Sequence, residues 1–305
     1  MITMAATDEH EPHDSELRTQ LHLPEGDPDR LLKEFGIQGR LGNVYALAQR
    51  YMQRRQEIGK RCYPVEDNGL YSGEGALALY QCALPYAQAD GYTGTILAGI
   101  DIDNGSLTMS RRTLREPIEA GEIEVYKMDA TEIIPHAFNR KFTVVTCIEV
   151  LGVGLDSAED DAVERLFAGI DAITEPDATV FVTFLNQAFD NRTKAHSTWA
   201  APNLKGFPFR YRYMEEIAAR HFPYRDWYGQ MITTYLGHRD LATGNPGGTA
   251  SPYNNMASDP AHFYEPDAFE PVPFHLMDRT RQKPHYWIGA FSKDPAVLFH
   301  PNAHL

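Results

Sequence analysis

Apolar positions in this chain follow two different periods. Between Asp27 and Lys60, Leu41, Val44, Tyr45, Ala48 and Met52 recur at i, i+3, i+4, i+7 and i+11, one stripe along a helix that Gly59 closes. Beyond it the pattern shortens to compact runs. Thr95–Ile100, Glu124–Met128, Phe142–Ile148 and Ala178–Leu185 each read as a strand, rich in β-branched and aromatic residues. Helical stretches separate them. One runs from Ala76 to Leu84 and ends at Pro85, one starts with Ser106 as its N-cap and closes at Pro117, and one starts at Ser157 with Val163, Leu166, Phe167, Ile170 and Ile173 on a single face. Strands buried on both sides and alternating with amphipathic helices predict an α/β fold with a doubly wound, mostly parallel sheet, its crossovers right-handed. After Leu185 the chain turns to Gly, Pro, Asn, His and aromatic residues, with one clear helix near Tyr213–Arg220, and His285–Phe291 reads as a final strand.

Charge narrows the range of partners. Against 28 basic side chains stand 42 acidic ones, a net charge of -14, and a field of that sign repels a phosphate backbone, so nucleic acid is not an expected partner. The cluster Arg50, Arg54, Arg55, Lys60 and Arg61 reads as a solvated helix face. Cys62, Cys82 and Cys147 are too few and too scattered for a disulfide framework or a zinc site, and no metal is expected. No apolar run approaches the roughly 20 residues that a membrane span needs. The N-terminus is acidic and lacks an apolar core segment, which reads as a cytoplasmic address.

In an open α/β sheet, ligands bind off the carboxyl ends of the strands. Four groups of residues fall there: Asn68-Gly69-Leu70-Tyr71-Ser72-Gly73-Glu74-Gly75, then Asp101, Asp129 and Glu149. Gly73 and Gly75 allow a tight turn and close approach of a ligand. The helix after them offers its N-terminus to an anionic group. A carboxylate at the tip of the next strand can accept from ribose hydroxyls, and one at the following tip can accept from an exocyclic amine.

Together these features resemble the class I S-adenosylmethionine-dependent methyltransferases, over residues 63–190 and the closing strand at 285–292. That family carries a D-x-G-x-G-x-G loop, matched here by Gly73-Glu74-Gly75. An acidic residue ending the second strand is matched by Asp101, an Asp-Ala pair after the third by Asp129-Ala130, the fourth strand and its loop by the run from Val144 to Gly154 that includes Glu149, and a reversed final strand by the run from His285 to Lys293. In this register Tyr71 stands where the first loop glycine belongs and Gly69 where the aspartate belongs. Either Asp67 takes the acidic role through a longer loop, or the loop has diverged.

The resemblance implies S-adenosyl-L-methionine as cofactor, held by Tyr71, Gly73, Glu74, Gly75, Asp101, Ile102, Asp129, Ala130 and Glu149. It implies methyl transfer to a small-molecule acceptor, of the kind met in specialised metabolite biosynthesis. The organisation expected is an acidic mobile tail (1–25), a helical N-terminal cap (26–60), a cofactor-binding core (61–190), a long aromatic substrate-cap insertion after the fourth parallel strand (191–284), and the reversed closing strand with a tail (285–305). Trp199, Phe207, Phe209, Tyr211, Tyr213, Trp227, Tyr228, Tyr235, Tyr253 and Tyr264, with Tyr45 and Tyr51 from the cap, are candidate acceptor-pocket walls, about half of which are expected to serve packing alone. His196 is the first choice for a general base, followed by His221 and His238, with Glu149 from the cofactor side. The N-terminal helices and the insertion offer surfaces for a homodimer.

Two other readings compete. Gly73-Glu74-Gly75-Ala76-Leu77-Ala78 satisfies G-x-G-x-x-A with an acidic residue further on, as in an NAD(P)-dependent oxidoreductase. The Tyr71 departure fits a methyltransferase-like subunit without activity.

Overall fold

Val65-Glu66-Asp67-Asn68 forms the central strand although three of its four residues are polar, and all four are buried. The computed structural model describes residues 39–148, 150–151, 160–185, 211–230, 271–273 and 286–301. In chain order the elements are α1 (Gly39–Glu57), β1 (Val65–Asn68), α2 (Glu74–Ala89), β2 (Leu97–Asp101), α3 (Asn104–Thr113), α4 (Arg115–Glu119), β3 (Ile123–Lys127), β4 (Phe142–Cys147), α5 (Asp160–Ile173), β5 (Thr174–Leu185), α6 (Tyr211–His221), β6 (Tyr224–Gln230), β7 (Pro271–Pro273) and β8 (Tyr286–Ser292).

The strands form one sheet in the order β3-β2-β1-β4-β5-β8-β6-β7. Strands β1 to β5 are parallel, with Asp67 opposite Gly99 on one side and Thr146 on the other. The last strand, β8, runs antiparallel to both neighbours, pairing Phe181 with Ala290 and Trp227 with Gly289. Apolar side chains cover both faces of the sheet. One cluster joins α1, α2 and α3 to Val65, Leu97, Val144, Phe181 and Ile288, and the other joins α5 and α6 to Ala98, Ile100, Val145, Val180 and Val182. This is the doubly wound, mostly parallel α/β sheet that the pattern predicts, with the reversed final strand that the resemblance implies.

Several local expectations are corrected. Because β1 is itself a strand, the long aromatic segment follows the fifth parallel strand, not the fourth. Part of that segment is not a cap at all, since Tyr224–Gln230 pairs with β8 inside the sheet. Helix α2 does not stop at Pro85 but continues to Ala89. Pro85 is exposed, so the carbonyl deprived of its N–H faces solvent and the helix survives the break. The N-cap of α3 is Asp103, whose carboxylate accepts from Ser106 N at 2.7 Å, and Pro117 lies within α4. Arg55 is not on a solvated face. It is fully buried and donates from Nε to Arg61 O at 2.6 Å and from Nη1 to Asp177 O, pinning α1 to the amino end of β5. Among the described residues no helix is long and apolar enough to cross a membrane.

Candidate functional site

The turn from β1 into α2 sets the geometry of the strand tips. Gly69, Tyr71 and Gly73 adopt left-handed φ of 81°, 46° and 90° at alternate positions. Gly69 N and Leu70 N both donate to Ile100 O, at 2.9 and 3.2 Å, tying the loop to the tip of β2. Gly73 caps α2, and a Cβ there would stand 3.0 Å from Ser110 Cα. At Gly69 a Cβ would stand 2.5 Å from Val150 Cγ2, in the segment leaving β4. Both glycines are thus required by conformation and by close approach of a neighbour.

Gly75 differs. It sits inside α2, and a Cβ there would overlap the Tyr45 ring from α1. The D-x-G-x-G-x-G match therefore shifts by two residues, to Asp67-x-Gly69-x-Tyr71-x-Gly73. The acidic position is Asp67, at the end of β1, without any lengthening of the loop. Tyr71 stands at the second glycine and holds a glycine's conformation.

The acidic groups cluster around this turn. Asp101 accepts from Tyr71 N through Oδ2 at 3.0 Å and from Asp103 N through Oδ1 at 2.8 Å, and its side chain is only partly buried. Asp67 is 1% exposed, and its Oδ1 accepts from the Thr146 hydroxyl at 2.5 Å while Oδ2 has no partner among the described residues. Burial pushes the Asp67 carboxyl up to about 7, the Thr146 hydroxyl opposing the rise and the negative Asp101 adding to it. Glu66 points to the opposite face. Burial and then the charge of Asp67 raise its carboxyl well above the usual range, and its Oε2 takes the Asn68 amide at 2.5 Å. Burial, followed by the charges of Asp67 and Glu74, likewise raises the Tyr45 phenol. Glu74 opens α2 and accepts from the Ser72 hydroxyl.

Asp129 follows β3 and spends Oδ1 on its own turn, accepting from Thr131 N and Oγ1 at 2.8 Å each. Ala130 beside it is half-buried. Ile102 is 61% exposed and Tyr71 68%, leaving two bulky apolar groups open beside Asp101. The structure thus gathers Tyr71, Gly73, Glu74, Asp101 and Ile102 around the β1 and β2 tips, with Asp129 and Ala130 at the next tip. Glu149, His196 and His238 lie outside the described residues.

His221 is not among the tip residues. It ends α6, with Nε2 3.1 Å from Glu164 and Nδ1 3.5 Å from Asp171, which stands in the last turn of α5 just before β5 begins. That is the amino edge of the sheet, opposite the tips. Several aromatic candidates for pocket walls are core: Tyr51, Trp227 and Tyr228 are at most 2% exposed, and Tyr211 packs on Trp227 and Trp287. In the sequence Asp67 is only one of two candidates for the acidic position, and Tyr45 is a candidate pocket wall, with nothing to mark it as the partner of Gly75. The spacing Asp67, Gly69, Gly73 was the signal that could have found the register.

A groove of about 710 Å³ between α2 and α4 is lined by Leu77, Tyr80, Gln81, Arg112, Arg115 and Glu122. Its wall at Glu122, just before β3, lies toward the amino edge of the sheet. Among the described residues no three His, Cys, Asp or Glu side chains are placed to hold a metal ion.

No protein-family model matches the chain, and no curated protein matches it by sequence. Solved structures do. The pyocyanin biosynthetic protein PhzM is 15% identical with a TM-score of 0.39, over 68% of this chain and 61% of its own. The CcbJ methyltransferase from Streptomyces caelestis is 13% identical with a TM-score of 0.34, over 46% of this chain and 49% of its own. The glycopeptide N-methyltransferase MtfA in complex with S-adenosyl-L-methionine is 14% identical with a TM-score of 0.32, over 45% and 51%. The chain therefore spans roughly half the length of the structures it matches. The strand order, with β8 reversed between β5 and β6, gives the chain a class I methyltransferase-like fold.

Proposed function

We propose that the chain is an S-adenosylmethionine-dependent methyltransferase acting on a small organic acceptor. The observation that carries this reading is the β1–β2 tip: left-handed residues at 69, 71 and 73 lead into the N-terminus of α2, and the Tyr71 amide is bonded to the Asp101 carboxylate. The donor set suits the cofactor. Asp101 keeps lone pairs free at a partly exposed tip and suits ribose hydroxyls. Asp67 Oδ2, a buried acceptor without a partner among the described residues, suits the ammonium of the methionine portion. Ile102 and Tyr71 offer apolar surface to the nucleoside, and the Asp129 oxygen not used by Thr131 suits the adenine amine.

Bound there, the cofactor would supply an electrophilic methyl group to an acceptor nucleophile. What the chain contributes is orientation, exclusion of water and removal of the acceptor proton. Alignment is worth roughly 7–11 kcal/mol of barrier and a positioned base about 10²- to 10⁴-fold in rate. His196, His238 and Glu149 are the proposed bases. His221 does not fill that role, because its contacts with Glu164 and Asp171 hold it at the amino edge. Replacing His196 with Ala should slow methyl transfer while leaving cofactor affinity unchanged.

A nicotinamide enzyme fits less well. The second glycine of its G-x-G-x-x-A match is Gly75, which lies under Tyr45 and is closed to a pyrophosphate. A dinucleotide fold also continues its sheet in parallel after the fifth strand, whereas β8 here is reversed. The net charge of -14 supports a small molecule over nucleic acid as acceptor.

A further inference from the structure

We propose that Tyr71 closes the outer face of the nucleoside subsite, its ring lying against the bound adenosyl group. The inference rests on the cofactor reading above and extends it to a side chain that the family's loop does not have. Tyr71 holds a φ of 46°, a region that residues with a Cβ avoid and glycine enters freely, between two glycines that share the left-handed conformation. The ring gives the fold nothing in return: it is 68% exposed, the most open of the large apolar groups in the described structure, and its hydroxyl bonds no other described residue. A strained residue with an unburied aromatic side chain points to a function at its own position. That position is fixed, since the Tyr71 amide sits 3.0 Å from Asp101 Oδ2, the carboxylate suited to the ribose. Ile102, the next most exposed apolar residue, follows Asp101 directly and supplies a second apolar surface at the same tip. An aromatic face against a base or sugar is favourable without any directed hydrogen bond, so the ring can add affinity for the nucleoside while leaving every polar partner of Asp101 in place.

The test is calorimetric titration of the wild type, Tyr71→Gly and Tyr71→Phe with two probes: S-adenosylhomocysteine, and 5′-methylthioadenosine, which shares the adenosyl group but lacks the amino acid. Tyr71→Gly should weaken both probes by about tenfold, as loss of one stacked ring does. Tyr71→Phe should stay within about twofold of the wild type, and the melting temperature of unliganded Tyr71→Gly should not fall, since glycine accepts this φ. Unchanged affinity in Tyr71→Gly, a loss confined to S-adenosylhomocysteine, or Tyr71→Phe as weak as Tyr71→Gly would each overturn the proposal, as would a Tyr71→Gly protein melting several degrees lower. A wild type that binds neither probe would instead overturn the cofactor reading itself.

Discussion

The ring of Tyr45 occupies the space beside Gly75, so that any side chain at residue 75 would overlap its Cζ and hydroxyl. Helix α1 is thereby seated directly on the first turn of α2, next to the loop that forms the candidate site. Gly75→Ala should destabilise the protein by about 1–3 kcal/mol, the usual cost of overpacking a buried contact, and lower Tm by several degrees. In a Tyr45→Ala background the same substitution should cost much less, because the two residues are in contact. Thermal melts of the four proteins in that cycle check this, and additive losses would contradict it.

Asp101 fixes two backbone amides and faces the proposed ribose position. Asp101→Ala should weaken S-adenosylhomocysteine by about 10²-fold, the order expected when two charge-assisted hydrogen bonds are lost. Asp101→Asn, which keeps one acceptor, should lose less. Titration calorimetry decides it, and wild-type affinity in Asp101→Ala would remove Asp101 from the site.

The buried Asp67 makes both stability and binding depend on pH. Its folded-state pKa of about 7 lies above the value near 3.9 of an unfolded chain, so between them the native state holds the proton more tightly. Stability should therefore fall as pH rises from about 4 to about 7 and level off above, with the raised Glu66 acting in the same direction. Denaturant titrations at pH 5 and pH 8 should show the loss, and Asp67→Asn should reduce it. Binding runs the other way. An ammonium favours the ionised carboxylate, so affinity for S-adenosylhomocysteine should drop as pH falls below about 7, and Asp67→Asn should bind weakly at every pH.

Tyr51 ties α1 to the far side of the sheet. Its hydroxyl donates to Asp226 and lies 2.7 Å from the Tyr228 hydroxyl, while Asp226 also accepts from Phe299 N at 2.9 Å and from His300 N at 2.9 and 3.0 Å. Tyr51→Phe leaves a fully buried carboxylate short of a donor and should cost about 1–3 kcal/mol in a melt, with cofactor affinity unchanged. A parallel loss of affinity would mean that this latch also shapes the site.

How much of this the sequence reveals depends on what marks each element. Strands β2 and β4 and the second half of β5 are legible as nearly continuous apolar runs, β3 as a short β-forming run between charged residues, and Asp101 and Asp129 because they lie at two of the strand tips. Strand β1 leaves no such mark: Glu66, Asp67 and Asn68 are polar, and only the structure reveals that their neighbours bury them. Strand β6 is hidden for the same reason, since its run from Tyr224 to Gln230 reads by composition as part of an irregular segment. The loop register is hidden because Gly75 completes a glycine pair in the sequence, while backbone angles place the left-handed residues at 69, 71 and 73. Pro85 misled because a proline break matters less where the freed carbonyl faces water. His221 looked like any other histidine until its two carboxylate partners put it at the wrong end of the sheet.

The central claim is best tested by titrating the purified protein with S-adenosylhomocysteine and, separately, with NAD and NADP. S-adenosylhomocysteine should bind and, at 100 times its Kd, stabilise the fold by about 2.7 kcal/mol, with no response to either nicotinamide cofactor. Binding of NAD or NADP in its place, or no binding of S-adenosylhomocysteine at all, would contradict it.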